Sequence, residues 1–380
     1  MRLRKLTSVQ QIRAIASAWD RLWQRSEVSW PTVRAELTAQ WLEHFSPKAA
    51  VSVLAVEQDG ELAAVLPLAS WRYRRLLVLG GLTANVWSYN GDLLLDPAAD
   101  EAATLDRLAD GLDSLAWPLV WLDMVAAEST RWKSLVAALT RRGFDIEVHP
   151  RYRIGEVSLE GDFAAYEAGR SRNLRRQMRK GRRRLEAGGP VHSAFLAPRT
   201  PDEVENCLRR AFQIEQQSWK GEAGQTVLAT PGMFDFYLRQ ACQLAQWGYL
   251  RAAFLQQQDR PLAFEIGWTA KGVYHSFKVG FVEAYRRAGP GQLLRRELIK
   301  SLFDQPGHRL VDFQGPLSEA LSQWATRNYQ IARLIIAPRR PSSRAILVGY
   351  RALARMVRRM RKLPAPPQPR RKKPSSEQPR

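Results

Sequence analysis

The chain has 380 residues, 45% of them hydrophobic, and a formal net charge of +21 at pH 7. This is enough apolar material for a full core, and the length suits two domains better than one. Two cysteines, Cys207 and Cys242, and no Cys/His cluster at ligand spacing exclude a disulfide framework and a structural metal. No apolar run approaches the ~20 residues that span a bilayer. The opening Met1-Arg2-Leu3-Arg4-Lys5-Leu6 leads into a polar stretch without a signal-peptide core, so a cytoplasmic protein is expected.

In chain order, helical periodicity over residues 8 to 25 and 33 to 45 precedes residues 51 to 69, which read as a β-hairpin turning at Asp59-Gly60. A further strand, a helix and the short apolar strand Leu119-Val120-Trp121-Leu122-Asp123 follow. The second half repeats this order. Helical patterns at 203 to 219 and 231 to 247 lead to a hairpin over 250 to 268 that turns near Asp259-Arg260. Then come a strand at Val273 to Val279, a helix at Gln292 to Phe303, and Leu310-Val311-Asp312. Helix, helix, hairpin, strand, helix, strand occurs twice, which predicts an α/β fold made of two copies of one unit, residues 1–165 and 166–338.

The positive charge is concentrated in two places. Residues 170 to 184 hold nine basic residues and no acid, and Arg339 to Arg380 hold fourteen against Glu377 alone. The rest of the chain is close to neutral, so the basic character belongs to one helix and one terminal segment, 339–380. The helix carries no aromatic residue for stacking on bases, which argues against single-stranded nucleic acid and for a basic rim that draws in an anionic ligand. In the terminal segment, Ile346, Leu347, Tyr350, Leu353, Val357 and Met360 share one helical arc and Arg351, Arg355, Arg358 and Lys362 another. A disordered Pro-rich tail is expected from Leu363 onward. Such a basic amphipathic segment suits an anionic membrane surface as partner, at the inner face of the membrane.

Between the strand at 273 and the helix at 292 lies Arg286-Arg287-Ala288-Gly289-Pro290-Gly291. A strand, a glycine-bearing loop and a helix N-terminus present unpaired backbone N–H groups to phosphate. Both glycines are expected to permit close approach and positive φ, while Arg286 and Arg287 add charge-assisted contacts; pyrophosphate is the natural ligand. The corresponding stretch of the first half, Gly80 to Gly91, has neither the basic residue nor the spacing, and is expected to help form an acceptor cleft instead.

Positions 286 to 291 resemble the acyl-CoA loop of the GNAT superfamily: Gln or Arg, two free positions, Gly, one free position, then Gly or Ala. Residues 215 to 324 resemble its CelD/BcsL (BioF2-like) type acetyltransferase domain, a relative of the Fem peptidoglycan-bridge enzymes. The likeness is carried by Glu215, Ser218-Trp219-Lys220-Gly221, Ala263-Phe264, Tyr274, Lys278, Glu283, Pro290-Gly291-Gln292, Asp312-Phe313 and Trp324. It implies tandem GNAT-like domains, each with a central, mostly antiparallel mixed sheet flanked by helices. It implies acetyl-CoA or another acyl-CoA as co-substrate, bound by Val279, Phe281, Arg286, Arg287, Ala288, Gly289, Pro290, Gly291 and Gln292. The acceptor, a glycan or small polar molecule linked to cellulose or exopolysaccharide production, would meet Glu215, Trp219, Lys220, Lys278 and Asp312, and a polysaccharide synthase would be the partner of the terminal basic segment. Phe281-Val282 and Leu321 stand where that branch often has Tyr-Asp and Lys.

Acyl transfer to an amine needs a base, an oxyanion stabiliser and a proton for the leaving thiolate. Glu265, in the apolar run Phe264-Glu265-Ile266, and His275 are the candidate bases; Tyr285 is a candidate acid, with Tyr329 as an alternative. A Fem-like transferase using aminoacyl-tRNA, which the basic helix would suit, and a non-catalytic GNAT-like module are the competing expectations.

Overall fold

The computed structural model describes residues 1–73, 77–222 and 224–362, without the side chains of 220, 222 and 354–362. The tail expected to be disordered from Leu363 onward lies outside the described residues. The first half begins with β1 (Arg2–Leu6), α1 (Val9–Ala14), α2 (Ala16–Arg25) and α3 (Ala35–Phe45), then β2 (Val51–Gln58), β3 (Glu61–Tyr73), β4 (Leu77–Leu82) and the short β5 (Leu94–Leu95). It continues through α4 (Glu101–Asp113), β6 (Val120–Ala126), α5 (Thr130–Arg141) and β7 (Asp145–Ser158). Next come α6 (Phe163–Ala168), α7 (Arg172–Glu186), β8 (Val191–Leu196), α8 (Pro201–Gln216), α9 (Trp219–Glu222) and α10 (Met233–Gln246). The second half then runs β9 (Leu250–Gln257), β10 (Arg260–Ala270), β11 (Val273–Phe281), α11 (Pro290–Asp304), β12 (Leu310–Pro316), α12 (Glu319–Ser322), β13 (Arg327–Ala337) and α13 (Pro341–Lys362).

Local chemistry places these elements. Ser8, Asp100, Asp162 and Ser171 each accept a backbone N–H at their helix N-terminus, and Thr200 with Glu203 forms a capping box on α8. Asp59 and Gly60 both take positive φ, as a two-residue hairpin turn requires. The second hairpin turns at Gln258-Asp259, one residue earlier than its sequence suggested, with Gln258 at φ 53°.

All the strands join one sheet in the order β1-β2-β3-β4-β6-β13-β7-β12-β11-β10-β9-β8, with β5 attached to β3. The order is a palindrome in direction as well as in element type. Pairing is antiparallel throughout except for β4 with β6 and β11 with β12, which are parallel and equally distant from the centre. At that centre β7 and β13 pair over Asp145–Ala337 to Glu156–Arg327. The strand that ends each half lies beside the other half's parallel pair: β13 pairs with β6, and β7 with β12. The expected division at residue 165 therefore separates two units that complete one another's sheet.

Three cores follow from this layout. On one face, α1–α3 of the first half and α8 and α10 of the second pack together around Trp19, Leu22, Phe212, Phe236 and Tyr237, so the two halves share this core. On the other face each half has its own, beneath α4 and α5 around Leu108 and Trp132, and beneath α6, α7 and α11 around Leu174, Leu298 and Trp324. Each fully buried side chain of this size contributes ~1.5–3 kcal/mol. Lys271, in the β10–β11 turn, ties the halves further: its Nζ donates to the carbonyls of Trp23, Ser26 at 2.8 Å and Val28 at 2.9 Å. On α13, Leu347 is buried against Trp121 and Ile335, with Ile346 and Tyr350 packed beside it, whereas Leu353, further along the same arc, is exposed.

Candidate active site

Strand β12 pairs with β11 only at Val273, Tyr274 and His275, so the edge of β11 beyond Ser276 has no strand partner in the described residues on that side. The β10–β11 register steps from Gly267–Ser276 to Ile266–Lys278, leaving Phe277 as an extra residue. Such a bulge re-aims the side chains beyond it. Two cavities open on this splayed segment. One of about 420 Å³ is lined by Ser218, Trp219, Phe264, Glu265, Val279, Phe281, Arg286, Gly289, Gly291, Gln292 and Arg295. The other, of about 380 Å³, is lined by Ser276, Phe277, Lys278, Val279, Gln292, Arg295, Phe313 and Gln314, with Trp87 and Tyr89 from the first half. They meet at Val279, Gln292 and Arg295.

The loop 286–291 joins β11 to the N-terminus of α11. Gly289 adopts φ 66° and ψ 48°, the left-handed region, and Pro290 occupies the first turn of α11. A Cβ at Gly289 would meet no protein atom, so its backbone conformation, not space, demands glycine. Positive φ was expected at Gly291 too; instead it lies inside α11, because Pro290 has already started the helix. Arg286 is exposed and paired with Glu283, and Arg287 is exposed beside it. Ala288 packs on α7 so closely that a Cβ on Gly181 would lie 2.3 Å from its carbonyl oxygen. Arg184 Nη1 donates to the Arg287 carbonyl at 2.7 Å. The apolar stripe Leu174, Met178, Gly181 and Leu185 turns inward and leaves Arg176, Arg179, Lys180, Arg183 and Arg184 exposed. The basic helix thus forms a rim beside the loop 286–291.

At the junction of the cavities, Arg295 is buried, its Nη2 3.6 Å from Glu265 Oε2 and its guanidinium 5.3 Å from the Phe313 ring. Its Nε has no hydrogen-bond partner. Sequence reading passed over Arg295; the available signal was an arginine on the Leu294–Leu298–Ile299 face of α11. Glu265 is the one carboxylate lining either cavity among the described residues. Burial pushes the Tyr274 hydroxyl well above its usual pKa, and the neighbouring Glu265 adds to the shift. Gln292 Oε1 accepts from Trp324 Nε1 at 2.5 Å, which fixes its amide between the cavities.

Lys278 reaches the acceptor-side cavity with its Nζ 5.1 Å from the rings of both Trp87 and Tyr237. The first-half loop that carries Trp87 is anchored from both sides. Tyr237 donates to the Trp87 carbonyl at 2.6 Å, and Asn90 donates to the carbonyls of Thr32 and Leu37. The stretch Gly80 to Gly91 therefore contributes Val86, Trp87 and Tyr89 to the wall of the cavity of about 380 Å³.

Other candidates lie elsewhere. His275 is fully buried and lines neither cavity; its Nδ1 lies 3.5 Å from Asp312 Oδ2. Asp312 is itself a buried acceptor for Trp30 Nε1 (3.3 Å), the Tyr329 hydroxyl (3.1 Å) and the Gln314 backbone N–H (2.8 Å). Burial, then Asp312, raises the Tyr329 pKa well above its usual value. Trp30, a first-half residue with no sequence signal for this role, was missed. Glu215 is buried away from both cavities and accepts the Val227 N–H at 3.0 Å, tying α8 to the loop after it. Tyr285 lines neither cavity and carries the Arg260 guanidinium 5.4 Å over its ring. Trp219, half exposed, lines the loop-side cavity, while the side chain of Lys220 lies outside the described set.

Residues 172–320 match the family model described as an acetyltransferase (GNAT) domain. Solved structures share the architecture over nearly the whole chain. FemX aligns at 10% identity over 88% of this chain and 97% of its own, with a TM-score of 0.55. A conserved protein of unknown function from Bacteroides thetaiotaomicron aligns at 10% identity over 89% and 99%, also at 0.55. The C-terminal domain (DUF2156) of a putative lysylphosphatidylglycerol synthetase from Agrobacterium fabrum aligns at 11% over 88% and 95%, at 0.53. No curated protein matches the chain. No helix among the described residues is long and apolar enough to cross a membrane.

Proposed function

We propose that the protein is an acyl-CoA-dependent acyltransferase of the CelD/BcsL type that modifies an amine or hydroxyl of a sugar or other small polar acceptor. The observation that carries this reading is the pair of cavities meeting at Val279, Gln292 and Arg295, one opening at the loop 286–291 and the other facing the first half. The loop, the N-terminus of α11 and the rim of α7 fit the pyrophosphate of an acyl-CoA, and the loop-side cavity leads its thioester to the junction. Trp87, Ser276, Lys278 and Gln314 hold the acceptor on the opposite side. Glu265 takes the acceptor's proton as the acceptor attacks the thioester carbonyl; collapse of the intermediate breaks the C–S bond and releases CoA as the thiolate, which takes up a proton from solvent. Arg295 and the unpaired edge of β11 stabilise the oxyanion of the tetrahedral intermediate.

Titration calorimetry with acetyl-CoA tests the donor site. Gly289→Val forces a β-branched residue into a left-handed conformation, at ~1–2 kcal/mol or more, and is expected to weaken binding at least about tenfold in a folded protein. Unchanged affinity would remove the donor assignment. A second reading, an aminoacyl-tRNA donor, is favoured by the exposed arginines of α7 beside the loop; activity in a cell extract that ribonuclease abolishes would select it over the first.

A further inference from the structure

The first half holds a cleft of its own, independent of the donor and acceptor cavities. β4 pairs with β6 at the single position Gly80–Val120, and the chain then parts into Leu82–Asn85 on one side and Trp121–Asp123 on the other. The cavity between them, about 330 Å³, is at the small end of ligand pockets, which run from about 300 to 1,000 Å³. Trp41, Phe45, Trp71 and Trp121 line it, with Asn85 and Asp123 at its edges. Trp71 keeps 37% of its surface exposed, an indole left in water where packing would favour burial.

Aromatic walls with one carboxylate suit either a cation or a hydroxyl-rich ring, and Arg333 decides between them. Its Nε and Nη2 donate to Asp123 at 2.6 and 2.9 Å, and its guanidinium sits 4.4 Å from the Trp121 ring. The carboxylate is already neutralised and that indole already holds a cation, so a quaternary ammonium would find no unmatched charge. Asp123 stays partly exposed, with lone pairs to accept further hydroxyl protons. Asn85 has its Oδ1 occupied by the N–H groups of Trp87 and Ser88, which leaves its amide NH₂ to donate. We infer that this cleft binds a neutral pyranose, stacked on Trp71, with hydroxyls donating to Asp123 and accepting from Asn85.

Titration calorimetry and saturation-transfer NMR on the full chain, with methyl glucoside, methyl N-acetylglucosaminide and cellobiose as probes, test the inference. At least one of them is expected to bind with a Kd near about 1 mM. Trp71→Ala is expected to weaken it about tenfold, with circular dichroism and acetyl-CoA binding unchanged, whereas Trp71→Phe, which keeps an aromatic face, retains most of the affinity. If Trp71→Ala does not fold, Asn85→Ala serves in its place with a several-fold loss expected. The inference is overturned if no neutral glycoside binds, if binding ignores both substitutions, or if tetramethylammonium binds more tightly than any of the sugars.

Discussion

In the first half β4 and β6 pair at one position before diverging; in the second, β11 and β12 pair at three and then diverge in the same way. The second divergence is followed by Arg286 to Gly291 and flanked by a basic helix, and Arg295 stands at its base. The first is followed by Thr83 to Gly91, held by Asn90, which donates to the carbonyls of Thr32 and Leu37, and by the Tyr237 hydroxyl, which donates to the Trp87 carbonyl, and is lined by indoles. The same topology supplies two clefts. A few local residues, the basic pair and glycines of 286–291 against the indoles of the first half, make the two clefts chemically different.

The largest effect that would sharpen this contrast is expected at Arg295. Arg295→Leu removes the charge at the junction and should lower kcat/KM about 10²–10³-fold, as loss of an oxyanion-stabilising donor does. It also leaves Glu265 buried without its partner, which costs ~3–5 kcal/mol. Adding Glu265→Gln should restore the unfolding temperature and leave turnover lost; restored turnover would assign both residues to structure alone.

Trp87→Ala probes the contribution of the first half to the second half's reaction. It is expected to raise the acceptor KM by about tenfold, near 1.4 kcal/mol, with acetyl-CoA affinity unchanged. A fall in acetyl-CoA affinity would mean the two cavities are not divided as described. Gly181→Ala acts from the other side, pushing α7 off the Ala288 carbonyl, and should weaken acetyl-CoA binding several-fold while leaving the acceptor KM alone; steady-state kinetics against each substrate separates the two.

The smallest effect concerns pH. Burial, then Asp312, raises the pKa of Glu156 above its usual 4.5, with Arg327 opposing. The folded protein therefore holds this proton more tightly than the unfolded chain does. Its contribution to stability is fully present below 4.5 and is lost as pH rises through the folded-state value. Asp312→Asn should lower the Glu156 pKa without bringing it to the solvent value, because burial is the larger cause. An NMR carboxyl titration that shows no change would mean that Asp312 does not act on Glu156.

The elements that the sequence disclosed are those set by neighbours along the chain: both hairpins, the strand–loop–helix of the anion site and the inward stripe of α7. The exchange of β7 and β13 was not legible, since it rests on pairs such as Asp145 with Ala337, far apart in sequence, and on strands such as Asp145-Ile146-Glu147-Val148-His149-Pro150 without a clean apolar face. A version ending near residue 160 would leave β6 without β13, so half-chains cannot compare the two clefts. The loop residues Arg286, Gly289 and Gln292 came from local spacing and line the cavity together. Glu215 drew attention through the family resemblance and His275 as a candidate base, but buried polar groups are as readily held inside by a backbone N–H or a neighbouring carboxylate as exposed to a ligand. Trp30 and Trp87 act across the interface between the halves, which no periodicity within either half encodes.

Hydrogen exchange of the full chain with and without acetyl-CoA compares the two clefts in one measurement. The account predicts new protection in residues 276–281 and 286–295 and none in 77–91 or 119–126. Protection confined to the first-half segments would contradict it.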